Sequence, residues 1–140
     1  MYIIKYMSFN KTLWTYGQKI EDETLPIINK YYGCNFEKNT TDIFDVFDFK
    51  DEKQKIIVEV KGRRVNSTQY EDTMITSLKI TEGYKLMDLG YQVFFVFAFL
   101  DKTMEIQLKE DNEWKCMISG TNCIHHYFIP IKDLTEIDFD

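Results

Sequence analysis

The stretch FDVFDFKDEKQKIIVEVKGRR, residues 44–64, decides the fold of this chain. Two runs rich in β-branched and aromatic residues, 43–49 and 56–61, flank KDEKQ, which has the composition of a hairpin turn. Each run nevertheless carries an acid, Asp45 in the first and Glu59 in the second. A charge in an apolar strand costs on the order of several kcal/mol unless it is paired or binds an ion. The stretch therefore predicts a β-hairpin whose charges have partners.

Register determines which charges meet across this hairpin. If the turn is centred on the middle of KDEKQ, residues whose numbers sum to 104 face each other, and Asp45 faces Glu59. Lys61, two residues after Glu59, lies on the same face. Other registers would bring Asp42 or Asp48 opposite Glu59, with sums of 101 and 107. We expect the register that pairs Asp45 with Glu59.

These charges suit metal-assisted hydrolysis of a phosphodiester. Two facing carboxylates repel each other, so either Lys61 or a divalent cation must compensate them. Mg²⁺ prefers oxygen ligands, commonly one or two carboxylates with water and phosphate. Asp45, Glu59 and the main-chain carbonyl of Val60 could hold Mg²⁺ or Mn²⁺. Lys61 could then orient the attacking water or stabilise charge developing on the phosphate.

Composition indicates one folded domain over residues 1–140, because 44% of the residues are hydrophobic and 16% are aromatic. The longest apolar run, 93–100, is far shorter than the roughly 20 residues that span a bilayer. The N-terminal residues do not resemble a signal peptide, so we expect an unprocessed, intracellular chain without a membrane partner. Three widely spaced cysteines favour reduced thiols.

The positive charges of the chain are unevenly distributed between arginine and lysine. The net charge of −6 argues against a broadly basic surface but permits a local basic groove. Arg63 and Arg64 are the two arginines among 17 cationic residues, and they lie just after Lys61 at the end of the second predicted strand. Because arginine binds phosphate in a bidentate manner, the pair predicts contacts with a nucleic-acid backbone, a surface salt bridge being the alternative.

Hydrophobic periodicity predicts two helices. Residues 15–32 form the first helix, which Gly33 ends, and Pro26 predicts either a kink or the start of another helix. Residues 78–89 form the second helix. Further strands are predicted at residues 91–100, 104–109, 114–118 and 126–131. The order predicts an α/β fold with a mixed central sheet flanked by helices.

The hairpin residues resemble the signature of the PD-(D/E)XK nuclease superfamily. Here the signature is Asp45, a step of fourteen residues, and then Glu59-Val60-Lys61. The order of elements over residues 13–100 is similar to a restriction endonuclease-like core, α-β-β-α-β, which C-terminal edge strands would follow. The chain departs from the signature at Phe44, where a proline commonly precedes the aspartate.

The resemblance implies roles for residues outside the hairpin. The segment GQKIE is similar to the first helix of resolvase-like members, in which a glutamate joins the metal site; here that residue is Glu21, with Glu23 as a substitute. The sequence EVKGRR resembles the basic continuation of the catalytic strand. Family members often carry Lys or Gln near the site on the next helix, which makes Lys79 and Lys85 candidates for contact with nucleic acid.

We therefore expect a Mg²⁺- or Mn²⁺-dependent endodeoxyribonuclease. Its implied substrate is duplex or branched DNA, as for archaeal-type Holliday junction resolvases and small phage or viral nucleases, and RNA remains open. A symmetric homodimer would cut both strands. Two alternatives remain: a catalytically inactive nuclease fold that binds nucleic acid or assembles with partners, and a strand on which Glu59 and Lys61 are merely solvated.

A second group of metal-binding residue types lies near the C-terminus. Cys116, Cys123, His125 and His126 fall within eleven residues, and Cys34 could join them. Their spacing does not match the paired cysteines typical of structural zinc sites. We expect the cysteines to lie in the core and the histidines to begin a strand.

Overall fold

The computed structural model describes residues 11–38, 47–119 and 124–138. This part of the chain forms two α-helices, nine β-strands and one turn of 3₁₀ helix at Ile131–Asp133. The helices are α1 (Lys11–Tyr32) and α2 (Ser77–Asp88). The strands are β1 (Glu37–Lys38), β2 (Phe49–Asp51), β3 (Ile56–Gly62), β4 (Asp72–Thr76), β5 (Gln92–Ala98), β6 (Thr103–Gln107), β7 (Lys115–Ser119), β8 (Ile124–Pro130) and β9 (Thr135–Glu136).

The larger sheet is mixed and contains the predicted hairpin. Its order is β1-β2-β3-β5-β6-β9, with β3 parallel to β5 and the other neighbours antiparallel. Both central strands are almost wholly buried, which agrees with their continuous apolar sequences. The predicted α/β class, a mixed sheet flanked by helices, is confirmed.

The two helices cover opposite faces of this sheet because neighbouring strand residues point to opposite sides. On one face, Ile28 of α1 packs with Val58 and other apolar residues of β3 and β5. On the other face, Ile80 of α2 packs with Ile57 and its neighbours. Glu59 lies between Val58 and Val60 in sequence, so its side chain points toward the α2 face.

The smaller sheet has the order β4-β8-β7, and all its pairs are antiparallel. It corrects the prediction that the C-terminal strands are edge strands, because β8 is central in this sheet. The strands β6 and β9 do lie at one edge of the larger sheet, as predicted.

Helix α1 is longer than the prediction and passes through Pro26 as one continuous helix. A separate helix does not begin there, since packing of Ile28 against the sheet holds the last turns in place. Within the described ranges, no helix is both long and apolar enough to cross a membrane.

Candidate active site

The hairpin between β2 and β3 has a different register from the predicted one. Phe49 pairs with Val58, so the numbers of facing residues sum to 107. Continuing this register places Asp48 opposite Glu59, and the predicted pairing of Asp45 with Glu59 is wrong. Asp45 itself lies outside the described residues.

Turn chemistry explains the shift in register. Asp51 is a buried strand residue, not part of the turn, and its carboxylate accepts hydrogen bonds from the backbone N–H of Gln54 (3.0 Å) and Asn35 (2.9 Å). Lys55 has a φ of 59°, in the left-handed region, and completes the turn. Because aspartate favours the position before a turn, Asp51 carried the signal for this register and hence for Asp48.

Glu59 is buried, with 1% of its surface exposed. Its Oε2 lies 2.7 Å from Nζ of Lys79 and 3.4 Å from Nζ of Lys61. Its Oε1 is buried and has no hydrogen-bond partner among the described residues. The alternative in which Glu59 is a solvated strand residue is therefore wrong.

The protonation of Glu59 reflects this environment. Burial raises its pKa to about 7; the nearby Asp48 carboxyl also raises it, and the ammonium groups of Lys61 and Lys79 oppose the shift. A carboxylate cannot donate a hydrogen bond to another carboxylate unless one of them is protonated. A proton or a cation between Glu59 and Asp48 would relieve their repulsion.

Asp48 links Glu59 to the end of the hairpin. Its Oδ2 accepts a hydrogen bond of 2.9 Å from the backbone N–H of Val60, just beyond the last residue pair of β2 and β3. Burial is the largest cause that raises the pKa of Asp48; hydrogen bonding with Glu59 lowers it, and the carboxyl of Glu21 raises it. Acidic groups from helix α1 and strand β3 thus both act on Asp48.

The donor set fits a hard divalent cation. The N–H and C=O of a strand residue face the same neighbour, so the carbonyl of Val60 faces the edge where Asp48 binds its N–H. Asp48, Glu59 and this carbonyl are oxygen donors, and Mg²⁺ uses one or two carboxylates in many sites. No cluster of three or more His, Cys, Asp or Glu side chains in the described ranges is arranged to hold a metal ion. The fit rests instead on two carboxylates and the unpartnered Oε1.

A cleft of about 430 Å³ opens beside these acids, between α1 and the end of β3. Glu21, Asp48 and the whole segment 60–64 line it, and Glu59 is not among the lining residues. Gly62 permits the close approach of α1, because a Cβ there would lie 3.0 Å from Cε1 of Tyr16. The cleft therefore combines acidic groups from α1 and the hairpin with cationic groups from β3 and its continuation.

The structure distinguishes between the two candidate glutamates on α1 and between the two candidate lysines on α2. Glu21 lines the cleft, whereas Glu23 is exposed and lies 3.8 Å from Lys19 in an ion pair. Lys79, in the first turn of α2, reaches Glu59. Lys85 is exposed and pairs with Glu82 instead.

The two arginines have different surroundings. Arg63 donates from Nε to Oγ1 of Thr73 at 3.1 Å and from Nη2 to the carbonyl of Met74 at 2.6 Å, which ties β3 to β4. Arg64 is exposed, with its guanidinium 4.4 Å from the ring centre of Tyr16 at the cleft. Of the pair, Arg64 has the freer guanidinium for a phosphate contact.

The cysteines and histidines near the C-terminus, the second group of metal-binding residue types, do not lie where the sequence predicted in every case. Cys116 is exposed on β7, so the prediction that it fills the core is wrong, because its strand lies at the edge of the smaller sheet. Cys34 is half-buried. His125 and His126 lie at the start of β8, as predicted, and Cys123 lies outside the described residues.

Comparison of the chain with protein-family models, with curated proteins and with solved structures finds no match. The class of site is accordingly argued from its chemistry: a buried carboxylate beside a half-buried one, two lysines and a cleft with arginine at its rim.

Proposed function

We propose that this protein is a metal-dependent nuclease of the PD-(D/E)XK type that hydrolyses phosphodiester bonds in DNA. The observation that carries the proposal is Glu59, a buried carboxylate with one unpartnered oxygen, beside Asp48 and two lysines. Burying such a group lowers the stability of the fold, so the residue has no purely structural advantage there. An active site that needs this carboxylate accounts for its presence in a core strand.

Asp48, Glu59 and the carbonyl of Val60 are the residues that would hold Mg²⁺ or Mn²⁺. When bound, such an ion polarises a phosphate and makes a water molecule more acidic. Lys61 lines the cleft and has a side chain that is 38% exposed, so its ammonium can reach both the phosphate and the attacking water. Lys79, which is less exposed, keeps Glu59 oriented and favours its charged form.

The substrate would enter along the cleft. Arg64 at its rim and Lys61 within it offer positive charge to the backbone of a strand. Since the net charge of the chain is −6, this attraction is local and not spread over the surface. Action on both strands at a DNA junction would require two copies, and we propose a symmetric homodimer.

Cleavage assays test the proposal. Labelled single-stranded, duplex, flap and four-way-junction DNA would be incubated with the protein and Mg²⁺, Mn²⁺ or EDTA, alongside matched RNA strands. Lys61→Ala should reduce the cleavage rate by roughly a hundredfold or more, since it removes a charge at the reacting phosphate. Lys102→Ala is the matched control, because Lys102 has a similar exposure (37%) and also pairs with a glutamate.

Metal-dependent cutting that Lys61→Ala abolishes and Lys102→Ala preserves is the expected result. Cutting that survives EDTA would contradict the proposed chemistry. Binding of DNA without cutting under any metal condition would favour the alternative, an inactive nuclease fold that binds nucleic acid.

A further inference from the structure

A second pocket, of about 360 Å³, lies next to the proposed active site. The loop 65–70, strand β4 and part of β8 form its walls. Arg63 and Arg64 line both this pocket and the cleft, so the arginine pair forms a wall that the two cavities share.

The walls of the pocket are aromatic and apolar with a few polar groups. Phe99, Phe128 and Met74 contribute apolar surface, and Tyr70 contributes a ring whose residue is 62% exposed. Ser67 and Asp72 supply polar atoms at the same pocket. Small-molecule sites have this composition, mostly apolar walls with a few hydrogen-bonding groups.

The pocket is held in shape by hydrogen bonds around it. Ser67 donates from its backbone N–H and its hydroxyl to the two carboxylate oxygens of Asp101, each at 2.7 Å. Arg63 fixes β4 through its bonds to Thr73 and Met74. A preformed pocket binds its ligand without the entropy cost of ordering a loop.

We propose that this pocket takes an unpaired nucleobase of the strand whose phosphate lies in the cleft. This inference rests on the proposed function. Aromatic walls stack bases without regard to sequence, and the arginines shared with the cleft place positive charge where the adjacent phosphate would lie. The volume lies near the lower end of the roughly 300–1,000 Å³ of ligand pockets, which suits one nucleoside.

This pocket defines the substrate class. A base in a duplex must leave its stack to enter such a pocket, at a cost that is least for a base already unpaired or mismatched. The protein should therefore act on single-stranded, flap or branched DNA with an unpaired nucleotide near the cleaved bond. Fully paired duplex should be a poor substrate.

Abasic scanning tests the subsite by binding, independently of cleavage. Short fluorescent single strands, each with one abasic site at a successive position, would be titrated with wild-type protein in EDTA, and the anisotropy measured. Loss of the one base that occupies the pocket should weaken binding roughly 5- to 150-fold, the range of base–aromatic stacking.

Two variants complete this experiment. Tyr70→Ala should weaken binding of the intact strand and remove its sensitivity to the abasic position, because the missing base and the missing ring belong to one contact. Tyr31→Ala is the matched control, an exposed tyrosine near the end of α1 that lines neither cavity. Its affinities should follow those of wild type.

The outcomes separate the subsite from the nuclease. If every abasic strand binds as tightly as the intact strand, or if Tyr70→Ala changes nothing, the subsite is wrong even if Mg²⁺-dependent cleavage is observed. Failure of the single strand to bind at all also overturns the subsite. A position-specific loss that Tyr70→Ala removes supports it, whether or not cleavage assays support the proposed chemistry.

Discussion

At the scale of single residues, the buried carboxylate of Glu59 lowers the free energy of unfolding. Lys79 and Lys61 compensate one carboxylate oxygen, and the other has no partner among the described residues. Leaving one oxygen of a buried carboxylate without a partner costs free energy, because that oxygen loses its hydration and gains no hydrogen bond in return. The proposed role of this carboxylate in metal binding would account for a glutamate at a position where an apolar residue would stabilise the core.

The raised pKa of Glu59 predicts how stability depends on pH. Its value is about 7 in the folded chain and near its ordinary value of 4.5 when unfolded, so folding takes up a proton between those values. This contribution is fully present below pH 4.5 and is lost as pH rises through 7. At about 1.4 kcal/mol for each pH unit between 4.5 and 7, wild type should lose roughly 3 to 3.5 kcal/mol relative to Glu59→Gln over this interval. Urea denaturation from pH 4 to 8 measures the difference, and parallel curves would contradict the buried, protonated glutamate.

The register of the hairpin predicts which aspartate matters most. Asp48→Asn removes a charge that faces Glu59, and we expect the Mg²⁺-dependent cleavage rate to fall by at least about a hundredfold. Asp45→Asn should have a smaller effect, since the register of the described strands places Asp48 opposite Glu59. Steady-state cleavage at saturating Mg²⁺ measures both. A larger loss of cleavage in Asp45→Asn than in Asp48→Asn would contradict this register and favour the pairing of Asp45 with Glu59.

At the scale of elements, apolar runs predicted the strands β3 and β5 and the helices well. A strand that helices cover on both faces has a continuous apolar sequence, and β5 shows this pattern. The register of the hairpin was not predicted, because the turn preference of Asp51 was overlooked and its second partner, the backbone N–H of Asn35, is distant in sequence. The two-residue strands β1 and β9 carry no periodic signal and are defined by pairing alone.

Arg63 and Arg64 provide a comparison of two neighbouring arginines. Arg63→Lys loses the fork that bonds Thr73 and Met74 at once, and it should lower the free energy of unfolding by about 1–3 kcal/mol. Arg64→Lys should change stability by less than about 0.5 kcal/mol, because Arg64 is exposed, but it should weaken DNA binding. Urea melts and anisotropy titrations measure the two effects. Equal destabilisation by both variants would contradict this division of roles.

At the scale of the whole molecule, an acidic protein is proposed to bind a polyanion. Cations that line the cleft are few: Lys61, Arg63 and Arg64 in the described lining. The remaining surface repels DNA, since the net charge is −6. Binding should accordingly be confined to the cleft and the pocket beside it.

Salt dependence measures how many phosphates the protein contacts. With two or three cations at the cleft, the slope of log affinity for a single strand against log salt concentration should be about −1.4 to −2.1. Anisotropy titrations between about 50 and 200 mM salt measure this slope. A slope near −6 or steeper would show a basic surface much wider than this cleft.

The most direct test of the nuclease proposal is Mg²⁺-dependent cleavage by wild type and Glu59→Gln. The substitution removes the central carboxylate charge yet relieves a buried ion, so the variant should fold at least as stably near pH 8. Glu52→Gln is the matched control, because Glu52 is an exposed glutamate at the hairpin turn. We predict cutting by wild type and Glu52→Gln and none by a folded Glu59→Gln. Cutting by folded Glu59→Gln at the wild-type rate would contradict the site as described.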